Sequence, residues 1–389
     1  MSEKPLFAQV KLHPYFGGGE VFASHLAEAA AALGGSSVLI IRSGVKHWAD
    51  LHLPNTQLIE VRDWDEAVER LPAGLPVIMH AAPPLYLVRR MREKQHPLIG
   101  FVHMPLNRFY AETSQSYALC RQVVGVSHYV MDTIRMLGLR PWGEPFYGVA
   151  EVRRPCEGGG VIRGSEFEWD QRKFRDRVLG LTEPLWSRFR PRRAYTKRVG
   201  LTIGIVSRLA PIKQFPLLIE LLVADLLQHE GIHLEIFGSG GYGSVRDLRR
   251  ALRPLGKRVR FWGHQRDIAE VYSSIDILLT GLPEREALGL NVIEAQASGV
   301  PVLAPGAPPF TETVLIGKTG WLYADPRQKD LASIYPTFSE VLATILKQKE
   351  ANTLPDPRLA TEHMEKFSKH AFSQRLAELL ASCENRPDG

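Results

Sequence analysis

The feature that most restricts the fold is an alternation that occurs twice. Six short apolar runs, "LFAQVKL", "SSVLIIR", "QLIEV", "PVIMH", "LIGFVH" and "QVVGVS", punctuate the first part of the chain. Five more, "LTIGIVS", "IHLEIFG", "RVRFWG", "DILLT" and "PVLA", recur beyond residue 200. Apolar runs of this length, bounded by turn residues, read as strands buried on both faces. After the first run, Phe22, Leu26, Ala29/Ala30 and Leu33 repeat at helical spacing, and Gly34–Gly35 stop the pattern. Strands that alternate with helices predict a parallel sheet covered on both faces. The fold class is therefore α/β with two Rossmann-like, doubly wound parallel-sheet domains, and 389 residues suffice for two cores.

The boundaries follow the pattern. The first domain is predicted over 1–145 and the second over 199–365. A segment between them, 146–198, is patterned like neither, and 366–389 is predicted as a C-terminal helix returning to the first domain. In open parallel sheets, ligands bind beyond the carboxyl ends of the strands. Two such domains facing each other are expected to make a cleft lined by loops of both.

Composition excludes several classes. The cysteines Cys120, Cys156 and Cys383 are too few and too widely spaced for a disulfide framework or a metal cluster, and their simplest reading is a reducing, cytoplasmic compartment. The N-terminal "MSEKPLFAQV" lacks the apolar core of a signal peptide, and no run of about 18 apolar residues predicts a membrane span. The net charge of +6 is concentrated: Arg153 to Arg198 hold thirteen basic and six acidic residues, a surplus of +7. Elsewhere the chain is close to neutral.

Most of the candidate site residues fall on the loops that follow strands. Gly17 to Gly19 end the first loop and open a helix, where free backbone N–H groups and a close backbone approach suit an anion; a tight turn explains them equally well. Arg208 and Lys213, in "IVSRLAPIKQF", are two cations that suit a diphosphate, or two solvated surface charges. Gly238 in "IFGSGGY" serves a nucleotide or a flexible turn. His103 ends the run "LIGFVH", where a structural role is the commoner one for a lone histidine. Last comes "LPEREALGLNVIEAQASGVPVLA", a loop, helix and strand that nonetheless carries Glu284, Glu286 and Glu294. Two carboxylates and the unsatisfied amides of a helix start near Gly289 suit a polyhydroxyl ligand bearing an anionic group.

These residues, in this order, resemble the retaining glycosyltransferases of family four, which have the GT-B fold. Glu286, seven residues and Glu294 look like the family signature, "GGGE" like its N-terminal glycine loop, and "SRLAPIK" like its Arg and Lys. "VVGVSHYV" is similar to the end of its first domain, and "RVRFWGHQRDIAEVYSSIDILL" to the run before the signature. The resemblance covers most of the chain. It implies a nucleotide-sugar donor, with uridine as the commonest base, and no cofactor or metal. It implies that Glu294 holds the ribose, and that Glu286 with the amides of Leu288 and Gly289 holds the sugar hydroxyls. Arg208 and Lys213 would neutralise the leaving diphosphate. Gly18 and Gly19 would approach the phosphate, Gly238 the nucleotide, and His103 would lie beside the donor sugar. Three positions depart from the pattern: Leu288 where Phe is common, Gln214 where Gly is common, and "YGVA" at Tyr147 to Ala150 in place of Asn-Gly-Val-Asp.

The basic segment 153–198 interleaves Phe167, Trp169, Phe174, Trp186, Phe189 and Tyr195 with its charges, and Phe174, Val178 and Leu181 share one helical face. Such a piece suits an anionic membrane surface or a solvated elaboration of the domain. Nucleic acid is not expected, since no recognition motif accompanies it. Transfer to a glycan or lipid-linked acceptor in surface polysaccharide or glycolipid biosynthesis is the expected function. A catalytically degenerate glycan- or partner-binding relative is the alternative, and an epimerase on the same fold is a weaker third.

Overall fold

The computed structural model describes residues 5–14, 17–107, 111–150, 160–169, 174–187, 194–283, 286–328 and 333–384. The chain divides into two compact units, one formed by 1–150 with 365–389 and the other by 151–364.

The first unit contains β1 (Pro5–Lys11), β2 (Ser36–Arg42), β3 (Thr56–Val61), β4 (Val77–Met79), β5 (Leu98–Val102) and β6 (Gln122–Gly125). They form one sheet in the order β3-β2-β1-β4-β5-β6, and every pairing is parallel. The runs predicted as strands are the strands observed, and the reason is burial: Val38, Leu39, Ile40, Val77, Ile78 and Met79 are fully enclosed. Such strands need helices on both faces, and the connections supply them. The helix Gly18–Ala32 buries Phe22, Ala23, Leu26, Ala27, Ala29 and Ala30. Leu33, assigned by its spacing to the same face, is the C-cap residue and lies 41% exposed. The helix Lys369–Glu384 packs against Gly18–Ala32. Phe372 meets Phe22 with ring centroids 5.3 Å apart, and Lys369 Nζ donates to Glu28 Oε2 at 2.8 Å.

The second unit repeats the plan with β7 (Leu201–Val206), β8 (Ile232–Phe237), β9 (Val259–Gly263), β10 (Ile277–Leu279), β11 (Val302–Pro305) and β12 (Gly320–Tyr323). Its order, β12-β11-β10-β7-β8-β9, is the same doubly wound arrangement. All six residues of β7 are buried. The helix Phe215–Leu227 lays Phe215, Leu218, Ile219, Leu222 and Leu226 on the sheet at helical spacing. β12 is absent from the predicted set. It is only four residues long, and the backbone of Val302 lies where a side chain at Gly320 would be. A short "GWLY" behind a glycine turn reads as a loop until β11 is beside it.

Part of the basic segment belongs to this second unit. Gly164 N donates to Trp262 O at 2.8 Å, Glu168 N to Gly240 O at 2.8 Å, and Gly240 N to Glu166 O at 3.1 Å, so 164–168 runs along the loops that follow β8 and β9. The helix Phe174–Ser187 is tied to that stretch by Glu183, which accepts from Ser165 Oγ and Trp169 Nε1. Arg188, Arg190, Arg192, Arg193 and Phe189, the side chain of Trp186, and Glu284 lie outside the described residues. Among the described residues, no helix is long and apolar enough to cross a membrane.

Candidate active site

In a doubly wound sheet the order reverses at one point, and the loops leaving the two strands there diverge and open a crevice. In the second unit those strands are β7 and β10. The loop after β7 carries Arg208 and Lys213; the loop after β10 carries Glu286, Leu288 and Gly289, and the helix Leu290–Ala297 with Glu294 follows it. Sequence separation is large, yet the two loops are bonded together. Leu282 N donates to Lys213 O at 3.3 Å, and Lys213 Nζ forms an ion pair with Glu286 Oε2. Asn291 Nδ2 donates to Val206 O at 3.0 Å, which pins the first turn of the helix to the end of β7.

The helix begins two to three residues later than its apolar pattern suggests. Gly289 is its N-cap, in the left-handed region at φ 81°, which glycine enters without a Cβ clash. Within the helix, Val292, Ile293, Ala295 and Gln296 are buried, and Glu294 is only partly so. Tyr272 OH donates to Glu294 Oε2 at 3.2 Å and to Asn291 O at 3.2 Å. Burial, and then the Glu294 carboxylate, push the Tyr272 hydroxyl well above its usual pKa, so it stays a donor. A carboxylate held in one rotamer by a buried phenol is pre-organised to accept from a ligand hydroxyl.

Arg208 projects to solvent and is paired at 3.2 Å with Glu168 of the basic segment, whose other oxygen accepts from Ser239 Oγ at 2.8 Å. Both cations of "SRLAPIK" therefore have carboxylate partners. Gly238 has φ 140°, and a Cβ there would overlap the carbonyl oxygen of Ser207. Its immediate role is to let the loops after β7 and β8 touch. Gln214, where the resembled family often has Gly, adopts φ 53° in the left-handed region. The residue departs from the pattern while the backbone does not.

The first unit has its own switch point, between β1 and β4. Gly17 caps the helix that opens with Gly18 and Gly19. Lys11, at the end of β1, pairs with Glu20 at 3.3 Å, with side chains only 13% and 3% exposed. His103, just beyond β5, is hydrogen-bonded through Nε2 to His80 Nδ1 at 2.9 Å. Burial, and then the Lys11 charge, push the His103 pKa down to about 3. Sequence reasoning missed His80, Gln9, Tyr272, Asn291 and Glu168. Only His80 left a signal: like His103, it ends an apolar run. Among the described residues, no group of three or more His, Cys, Asp or Glu is placed to hold a metal ion.

Two Rossmann-like units of this topology, the second with cations and carboxylates gathered at its switch point, define the GT-B class of fold. Residues 200–334 match the family described as glycosyl transferases group 1. It is 31% identical over 189 residues to the D-inositol 3-phosphate glycosyltransferase of Corynebacterium efficiens, covering 46% of this chain and 42% of that one. It is 33% identical over 141 residues to the GDP-mannose-dependent monoacylated alpha-(1-6)-phosphatidylinositol monomannoside mannosyltransferase of Corynebacterium glutamicum, covering 32% and 36%. The chain thus spans less than half the length of these curated relatives. Among solved structures, the Anabaena protein HepE in complex with UDP-glucose superposes with a TM-score of 0.66 at 17% identity, over 97% of this chain and 99% of that one.

Proposed function

We propose that this protein is a retaining glycosyltransferase that moves a sugar from a nucleotide-sugar donor to a glycan or lipid-linked acceptor. One observation carries the reading: Lys213 pairs with Glu286 across two bonded loops at the switch point of the second sheet, with Arg208 on the first of these loops and Glu294 in the helix that follows the second. The cations suit a departing diphosphate, and the carboxylates suit ribose and sugar hydroxyls. The reading is further supported by the relatives, whose names specify sugar transfer, and by a neighbour of the same fold that holds UDP-glucose.

In the proposed reaction the anomeric carbon–oxygen bond to the diphosphate breaks while the acceptor hydroxyl attacks from the same face. The acceptor proton passes to the departing phosphate oxygen, so no strong protein base is needed. Lys213 and Arg208 offset the charge that develops there, exchanging Glu286 and Glu168 for phosphate. Gly18 and Gly19 are proposed to approach the phosphate, Gly238 the nucleotide, the amides of Leu288 and Gly289 the sugar, and His103 the sugar as well. A uridine donor is the favoured choice. Phe174, Val178 and Leu181 are 75%, 43% and 79% exposed on one helix within the basic segment, which supports an anionic membrane surface as the place where a lipid-linked acceptor is met.

A thermal-shift screen against UDP-, GDP- and ADP-sugars tests the proposal. A true donor at a hundredfold excess over its Kd should stabilise the protein by about 2.7 kcal/mol. A shift with one base identifies the donor; no shift with any of them, together with no hydrolysis of the sugar–diphosphate bond, rejects the reading.

A further inference from the structure

We infer that Gln9 and His80 are positioning residues that order the proton on His103, so that its Nδ1 meets the ligand only as a hydrogen-bond acceptor. The argument begins at an atom that cannot change role. The carbonyl oxygen of Ala23, within the helix Gly18–Ala32, accepts from Gln9 Nε2 at 3.2 Å. A carbonyl accepts only, so the Gln9 amide cannot flip without setting two oxygens against each other. Gln9 Oε1 therefore faces His80 Nε2, 2.9 Å away, and that nitrogen must carry the proton. His80 is 4% exposed. Burial, then His103 and then the Lys11 ammonium hold its pKa well below the usual value, so it is neutral and its Nδ1 bears a lone pair. His103 Nε2, 2.9 Å from that lone pair, must then be the protonated nitrogen of its ring. The remaining lone pair of His103 is on Nδ1.

Packing holds the two rings in this relation. Their planes are 15° apart with centroids at 5.2 Å, and Phe22 meets His103 edge-on at 4.9 Å and His80 at 6.4 Å. Phe22 is in turn packed against Phe101, Phe146 and Phe372. Gln9 is fully buried on β1, so the order begins inside the sheet and ends at the loop after β5.

The consequence is chemical. A neutral imidazole presenting a lone pair accepts from a hydroxyl and gives nothing to a phosphate oxygen. This inference rests on the glycosyltransferase reading for the identity of its ligand, a neutral hydroxyl of the sugar, and on the hydrogen bonds together with a neutral, buried His80 for the tautomer.

The test separates the two. Long-range proton–nitrogen NMR on protein labelled with 15N-histidine, with signals assigned from His80→Asn and His103→Asn, should show His103 protonated at Nε2 and bare at Nδ1 at neutral pH. Gln9→Met, which keeps the length and removes the amide, should produce a mixture of His103 tautomers. It should lower kcat for donor turnover roughly tenfold with donor KM little changed, the scale of one net hydrogen bond. His103 protonated at Nδ1 in the wild type, or an unchanged tautomer in Gln9→Met, would overturn the inference. The expected spectra with no turnover of any nucleotide sugar would leave the relay standing and remove the enzymatic reading.

Discussion

Lys213 and Glu286 are 73 residues apart in sequence and form an ion pair that joins the loop after β7 to the loop after β10. Both side chains are partly buried, at 27% and 16% exposure. The pair links the cation proposed to face the leaving phosphate with the carboxylate proposed to hold the sugar. Each partner keeps the other in place until a donor arrives, and the substitutions below are chosen to separate the two roles.

Lys213→Ala should lower kcat by about 10²-fold or more, with a smaller rise in donor KM, because the ammonium matters most where charge develops. Single-turnover and steady-state kinetics on the same preparation check this. An unchanged kcat with a raised KM would make Lys213 a binding residue only. Activity should persist in EDTA if the two cations do the work of a metal.

Glu294→Gln should weaken nucleotide binding by roughly 1.5–3 kcal/mol, the scale of hydrogen bonds to a charged group, while the fold survives. Calorimetry with the free nucleoside diphosphate reads it directly. Tyr272→Phe should have a smaller effect, about 1 kcal/mol, since it removes only the hydroxyl that holds the carboxylate. Equal affinity in Glu294→Gln and wild type would make Glu294 structural.

Gln214→Gly should raise stability by roughly 0.5–1 kcal/mol. It relieves a left-handed backbone at φ 53°, which costs a side-chain-bearing residue about 1–2 kcal/mol, less the added entropy of glycine in the unfolded chain. Urea unfolding of the two proteins decides it, and a loss of stability would mean that the Gln214 side chain contributes more than the backbone costs.

Acid should destabilise the first unit through its histidines. The folded pKa of His103 lies near 3, below the unfolded value of about 6.5, so below that value the unfolded chain binds a proton that the native state refuses. The stabilising contribution is complete above pH about 6.5 and is lost as pH falls toward 3, at about 1.4 kcal/mol per pH unit. His80, lowered in the same direction, adds to the loss. Thermal melts between pH 7.5 and 5 should show a shallower pH dependence for His103→Asn. An identical slope would mean that His103 is protonated equally in both states.

Phe174→Ser together with Leu181→Ser should abolish sedimentation with anionic liposomes at low salt, while hydrolysis of a soluble donor continues. Two exposed apolar side chains contribute insertion that charge alone does not supply. Binding by the wild type to anionic but not neutral vesicles is the accompanying expectation; indifference to both would favour a soluble acceptor.

The alternation of apolar runs and helical periods was sufficient, read as a string, for two parallel sheets and for eleven of their strands, because strand burial on both faces is a local, continuous signal. The same reading marked Arg208, Lys213 and Glu286 on loops that follow strands and Glu294 within the helix after them. Only the tertiary structure showed that β7 lies beside β10 and β1 beside β4, since strand order depends on where each crossover packs and leaves no period in the chain. That order brings Lys213 to Glu286 and Tyr272 to Glu294, and sets Gln9, His80 and His103 in one hydrogen-bonded line across separations of 71 and 23 residues. It also supplied β12, whose four residues become a strand only when β11 offers its backbone. Gln214 shows the converse: its backbone holds the left-handed shape that glycine would favour, because the turn between Lys213 and the helix Phe215–Leu227 is set by the packing of that helix on the sheet.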